Sequence, residues 1–265
     1  MSLIRDLIEE CPIGNGDTVE VASDLLKLSL LCLKHYEQLD ADEVLNVLQQ
    51  RVGTEGTLLI RAFSWDFCHG QPFDLRTSPS RVGALGNAAL KRDDFKRTAH
   101  PLYSWLVWGR YQDELLALQN HSSFGADSPF GFLTAHGGKF LMLGADMYNS
   151  LTYVHYVEEQ VGVPYRYLKN FRALYTDEQG NTSEREYSMN VRDLDLDVRM
   201  FNRESAADYP QTFEQEFTSK GLLKAREYEG VYVGVLDLAG AYPLIAADIR
   251  DNHSRKICRY RGQHG

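Results

Sequence analysis

Apolar residues along the first third of the chain follow two alternating rhythms. "SLIRDLIEE" spaces them as one face of a helix, and "GDTVEVAS" switches to strand alternation after a Gly-Asp turn. "DLLKLSLLCLKHYEQL" then returns to leucines three and four apart. "DADEVLNVLQQRV" predicts a further helix, with Asp40 or Asp42 as its N-cap, and "GTEGTLLIRAFSW" an apolar strand entered from glycines. The order helix, strand, helix, helix, strand predicts an α/β protein with a parallel element.

Further on, "SRVGALGNAALKR" predicts a helix rich in small residues and capped by Ser78 or Ser80. "HPLYSWLVWG" predicts a strand entered through proline, and "DSPFGFLTAHGG" a turn, a short helix and a glycine stop. "KFLMLGA" has the unbroken apolar run of a buried strand, and "TYVHYVEEQV" is the helix after it. From about 163 to 200 the pattern changes. Two tyrosine-rich runs flank "DEQGN", a hairpin signal, with no helix between them, so a largely antiparallel insert is expected. "ADYPQTFEQEFTSKGLLKAREYEG" reads as helical, and "VYVGVLDLAGAYPLIAADIRDN" as a strand and a last helix. The whole predicts one α/β domain over 1–265, a central mixed sheet flanked by helices, with that insert at about 163–200.

Composition narrows the function classes. The chain has 265 residues, 43% hydrophobic and 25% charged, ordinary proportions for a globular enzyme. No apolar run nears the roughly 20 residues that span a bilayer, and the acidic start lacks the pattern of a secretion signal. A cytoplasmic protein without membrane insertion is expected. Cys11, Cys32, Cys68 and Cys258 never form CxxC, which argues against a zinc ribbon or disulfide scaffold. The net charge of −9 shows no basic stripe for nucleic acid. The single dense basic cluster, "RKICRYRG", reads as a tail.

Candidate chemistry centres on "NSLTYVHYVEE". Open α/β sheets bind ligands at the carboxyl ends of their strands, which is where this stretch follows "KFLMLGA". Thr152 or Ser150 could cap the helix. His155 and Glu158, three apart, share a face, so the carboxylate can fix the imidazole tautomer and make it a general base near neutral pH. HExxH, GxSxG, Walker and complete GxGxxG patterns are absent.

Six stretches in order carry a resemblance: "GDTVEVASDLLKL", "FDLRTSPSRVGALGN", "KRTAHPLYSWLVWG", "FGADSPFGFL", "GGKFLMLGAD" and "TYVHYVEE". Together they resemble the aminoglycoside 3-N-acetyltransferase family over roughly residues 1–250. The HP-x-x-S and G-x-x-SP pieces are the most specific. The resemblance implies acetyl-coenzyme A as co-substrate, an amino-sugar amine as acceptor, a fold distinct from the GCN5-related acetyltransferases, and no metal. It implies His155 as catalytic histidine, Glu158 as its partner and Thr152 as a hydroxyl for the oxyanion. Ser23, Asp24, Ser80 and Ser104 fall in segments resembling the coenzyme groove, and His100 in one that shapes it.

Three departures bear on the acceptor. Ala22-Ser23-Asp24-Leu25 stands where drug-modifying members have His-Ser-Ser-Leu, Leu151 replaces the asparagine before Thr152, and the tyrosine-rich insert lacks a run of acids. These changes look more like relatives that acylate nucleotide-linked or polysaccharide-precursor amino sugars. The alternatives are an aminoglycoside acetyltransferase conferring antibiotic resistance, a coenzyme A thioester hydrolase, and a non-catalytic homologue. The aromatic insert could supply a homodimer contact.

Overall fold

The computed structural model describes residues 2–202 and 212–263. Its centre is a seven-stranded sheet built from β1 (Thr18–Ser23), β2 (Thr57–Arg61), β4 (Lys96–Arg97), β5 (Trp105–Gly109), β6 (Lys139–Leu143), β10 (Leu223–Tyr228) and β11 (Val231–Asp237), in the order β10-β11-β6-β1-β2-β5-β4. β1 pairs parallel with both β2 and β6, and the flanking pairs are antiparallel, so the expected mixed sheet with a parallel centre is present. The crossover from β1 to β2 runs through α2 (Leu25–Lys34) and α3 (Ala41–Val52), and α1 (Leu3–Glu9) packs on α3. Of the two candidate caps for α3, Asp40 takes the position and accepts from the Asp42 amide at 3.0 Å.

Strand alternation divides the core into two faces. Val19, Val21, Leu58, Ile60, Leu141 and Leu143 pack with α1–α3, together with Ala89 of α4 (Ala84–Ala89). Ala22, Leu59, Phe140 and Met142 face the other way. There they meet α6 (Pro129–Ala135), α7 (Met147–Ser150), α8 (Tyr153–Val161), α9 (Phe213–Ser219) and α10 (Leu238–Asp251). A small helix, α5 (Gln112–Leu116), follows β5. Each fully buried leucine, isoleucine or phenylalanine contributes about 1.5–3 kcal/mol relative to exposure, and both faces are continuous.

The insert forms a second sheet. β7 (Arg166–Thr176) and β8 (Thr182–Arg192) pair antiparallel across the Asp177–Asn181 turn, where Gly180 takes φ +87°. The short β3 (Phe73–Asp74) joins β7 in parallel. Tyr165, Ala173 and Tyr175 reach from this region into the core face that holds Trp105 and Phe130.

Three expectations need correction. The stretch 207–230 is not one helix. Residues 207–211 lie outside the described residues, Phe213–Ser219 is helical, Gly221 breaks out at φ +72°, and Leu223–Tyr228 is the sheet-edge strand β10. α4 begins at Ala84 with Gly83 before it and no side-chain cap, because Ser78 and Ser80 belong to the preceding loop. "RKICRYRG" is not a tail. Ile257 and Cys258 are buried, Cys258–Arg259 (β12) pairs with Arg199–Met200 (β9), and Lys256 meets Glu216. No described helix is long and apolar enough to cross a membrane.

Candidate active site

The carboxyl ends of β1, β2 and β6 converge. The Asp24 amide donates to the Leu143 carbonyl at 2.8 Å, and Gly144 at φ +74° turns the chain out of β6. A side chain there would press on the Asp24 carbonyl, which explains the glycine. Asp146 then caps α7 by accepting from the Asn149 amide at 3.0 Å. Leu151 breaks the helix at ψ 64°, and Thr152 leads into α8.

Neither expected cap serves α8. Thr152 already has helical dihedrals and makes no capping bond, and the Ser150 hydroxyl donates to the Asp146 carbonyl at 2.5 Å. The amides of Thr152, Val154 and His155 donate to the carbonyls of Ser150, Leu151 and Thr152. Those three are therefore occupied within the turn rather than open to a ligand.

One turn on, His155 Nδ1 lies 2.7 Å from Glu158 Oε2. Glu158 is fully buried; its other oxygen accepts from the Tyr165 hydroxyl at 2.8 Å, and Arg166 Nε stands 2.7 Å from Oε2. Arg166 Nη2 also lies 3.0 Å from His155 Nδ1. The tautomer follows from these contacts. The Arg166 contact favours a lone pair on Nδ1 and the shorter Glu158 contact a proton there; the contact with the buried anion at 2.7 Å assigns the proton to Nδ1, which leaves Nε2 as the basic nitrogen. Burial and the Arg166 cation hold the imidazole below the usual histidine range, against the pull of Glu158. Burial alone would raise the Glu158 carboxyl, but His155, Arg166 and Tyr165 outweigh it and hold it below its usual range.

Among the described residues, three clefts meet at His155. The first, about 480 Å³, is bounded by Ser23, Asp24, Arg61, Asp146 and Thr152. The second, also about 480 Å³, lies between α8 and the β7–β8 hairpin. Trp65 and Tyr103 wall both. A third of about 140 Å³ runs between α8 and Ile257.

The structure thus brings His155, Glu158, Thr152, Ser23 and Asp24 to one region. Ser23 and Asp24 line the first cleft, and Asp24 also caps α2 by accepting from the Lys27 amide at 3.2 Å. Ser80 and Ser104 line none of the three clefts. Ser80 is buried beneath the Arg61 carbonyl, while Ser104 donates to the Ala62 carbonyl at 3.0 Å and accepts from Arg97 Nε at 2.9 Å. His100 is buried too, with Nδ1 facing the amides of Leu102 and Tyr103 and Nε2 the His121 carbonyl. It holds the loop that carries Tyr103 to the clefts.

Sequence reasoning misses Arg166, Tyr165 and Arg61. Arg61, at the end of β2, pairs with buried Glu20 at 2.9 Å and donates to the Ser150 carbonyl at 2.7 Å. The signal is there to be read: one charge in each of two otherwise apolar strands, "TVEVAS" and "TLLIRAF".

Comparison with known proteins bears on the fold and the family. Residues 25–239 match the family model described as aminoglycoside 3-N-acetyltransferase. Aminoglycoside N(3)-acetyltransferase III of Serratia marcescens is 32% identical over 144 residues, 47% of this chain and 53% of that protein. The chain spans about half the length of the curated relatives it matches. The crystal structure of aminoglycoside acetyltransferase AAC(3)-Xa is similar at TM-score 0.74 and 22% identity, covering 94% of this chain and 91% of that one. The AAC-IIIb structure binary with CoASH is similar at TM-score 0.74 and 21% identity, covering 94% and 95%. These likenesses establish a shared fold, and the family match over most of the length settles membership: the chain belongs to the aminoglycoside 3-N-acetyltransferase family.

Proposed function

We propose that the protein transfers an acetyl group from acetyl-coenzyme A to a primary amine of an amino sugar, with His155 as general base. The observation that carries this reading is the position of His155: its Nδ1 is held by buried Glu158 while the ring borders both of the larger clefts. A transferase needs that arrangement, because two substrates must meet at one base. The cleft at Ser23 and Asp24 suits the thioester, and the cleft under the hairpin suits the amine.

In this reading His155 Nε2 takes the amine proton as nitrogen bonds to the thioester carbon. Glu158 steadies the imidazolium. The Thr152 hydroxyl serves as a donor for the oxyanion. The C–S bond then breaks, and His155 returns the proton to the thiolate, leaving an amide and a free thiol. A positioned base contributes about 10²–10⁴-fold in rate.

Aminoglycosides, the substrates named for the relatives, are the first acceptors to test. One observation favours a second acceptor class, the amino-sugar precursors of surface polysaccharide: among the described residues no carboxylate lines the cleft under the hairpin. The deciding assay follows thiol release from acetyl-coenzyme A with and without amines. Release that depends on an amine supports the transferase, and rapid release without one supports a hydrolase. Calorimetry that detects no coenzyme A binding would leave a non-catalytic homologue.

A further inference from the structure

The cleft under the β7–β8 hairpin has the opposite sign to the molecule around it. The chain carries a net charge of −9, yet Arg166, Lys169 and Arg192 line this cleft without a carboxylate among its described residues. Arg166 is committed to Glu158. Among the described residues neither Lys169 nor Arg192 makes an ion pair. The Lys169 ammonium lies 5.5 Å from the Phe171 ring centroid, and Arg192 donates to the Val198 carbonyl at 3.5 Å. Both side chains are exposed at the wall.

The hairpin register sets their spacing. Lys169 pairs with Met189 and Arg192 with Arg166. The two cations are three residues apart along the ladder, an odd offset that sends their side chains to opposite faces of the hairpin, so each reaches the cleft from its own side. Tyr167 and Phe171 stand two residues either side of Lys169, on the same face of β7, and both line the cleft. Aromatic faces beside cations suit a sugar or a base that carries phosphate. A polycationic drug would meet uncompensated like charge at the same wall, where like-charge juxtaposition is a strong bar to binding.

We propose that the acceptor is an amino sugar bearing a phosphate or diphosphate, held by Lys169 and Arg192 while its amine reaches His155. This rests on the reading of the protein as an amine acetyltransferase whose acceptor enters beneath the hairpin.

The test compares kcat/KM, by thiol release, for glucosamine, glucosamine 1-phosphate, a uridine-diphosphate-linked glucosamine and the aminoglycoside kanamycin. The phosphorylated acceptors should exceed glucosamine at least tenfold and kanamycin by more. An advantage of the uridine-linked sugar over the 1-phosphate would assign the aromatic pair to the base, and equal rates would assign the site to the phosphate alone. In a variant carrying Lys169→Glu and Arg192→Glu, KM for the phosphorylated acceptors should rise at least tenfold and their preference over glucosamine should vanish. KM for acetyl-coenzyme A should stay within twofold. Preference for kanamycin would overturn the proposal and leave the acetyltransferase standing. A rise in the acetyl-coenzyme A KM instead would overturn it by giving the cations to the coenzyme. Acetylation of no amine at all would overturn the transferase reading and this proposal with it.

Discussion

Glu158 and His155 meet at 2.7 Å across one turn of α8, the carboxylate fully buried and the imidazole 24% exposed. An exposed ion pair of this kind would be worth about 0–1 kcal/mol and would fix little. Here the buried partner is immobilised by Tyr165 and Arg166 as well, so the ring is oriented before any substrate arrives.

Replacing His155 with alanine should therefore lower kcat by at least about 10²-fold, the usual contribution of a positioned base. Acetyl-coenzyme A affinity should change little, because the ring is one wall among several. Glu158→Gln should slow turnover less, since the histidine remains and loses only its orienting charge. Steady-state kinetics beside calorimetry with coenzyme A separates the two. Near-normal turnover in His155→Ala would remove the histidine from the mechanism.

The pH profile should show which neighbours tune that base. Burial and Arg166 hold His155 below the usual histidine range, while Glu158 pulls it upward. The rise of kcat/KM with pH should thus be centred below about 6.5, the ordinary histidine value. Arg166→Gln removes a cation that disfavours imidazolium, so the limb should move to higher pH. Glu158→Gln removes the anion that favours it, so the limb should move lower. Profiles that shift together, or not at all, would assign the limb to another group.

Acid stability should report on His100. Its Nδ1 faces two backbone amides and its Nε2 a carbonyl, an arrangement that only the neutral ring satisfies. Burial pushes its pKa down to about 3. A group whose folded pKa is depressed contributes its full stability above the unfolded value near 6.5 and loses it as pH falls toward the folded value. Stability should decline between about pH 6.5 and 3 with a slope approaching 1.4 kcal/mol per unit from this residue. Urea midpoints across that window should flatten in His100→Gln. The variant should also start lower, since unsatisfied buried amides cost about 1–3 kcal/mol each.

How far the sequence can be read depends on whether partners are local. The His155–Glu158 contact is legible because three residues on one helix must share a face. β1 and β6 are legible because their apolar patterns have no competing helical period. Arg166 and Tyr165 are not legible: they lie beyond the end of α8 and return to it only through the turn into β7. β10 misleads for a different reason. "LLKARE" is made of strong helix formers, and tertiary pairing with β11 overrides them. Its charges then suit a sheet edge, where they discourage pairing with another chain. Ser80 and Ser104 sit in motifs near the clefts, but their hydroxyls are turned to backbone carbonyls, which residue identity cannot reveal.

Arg61 joins stability to the site. Its guanidinium spans buried Glu20 and the Ser150 carbonyl, and lies 4.6 Å from the Phe140 ring centroid. Arg61→Met would strand Glu20 in the core, and removing one partner of a buried pair typically costs about 3–5 kcal/mol. Adding Glu20→Leu removes the stranded charge, so the double variant should recover most of that loss in denaturant titrations. It does not restore the bond to Ser150, which holds the chain just before Thr152 and His155. The double variant should therefore be stable yet slow, with kcat reduced and acetyl-coenzyme A affinity nearly intact. Full turnover in a stable double variant would show that the ion pair serves the fold alone.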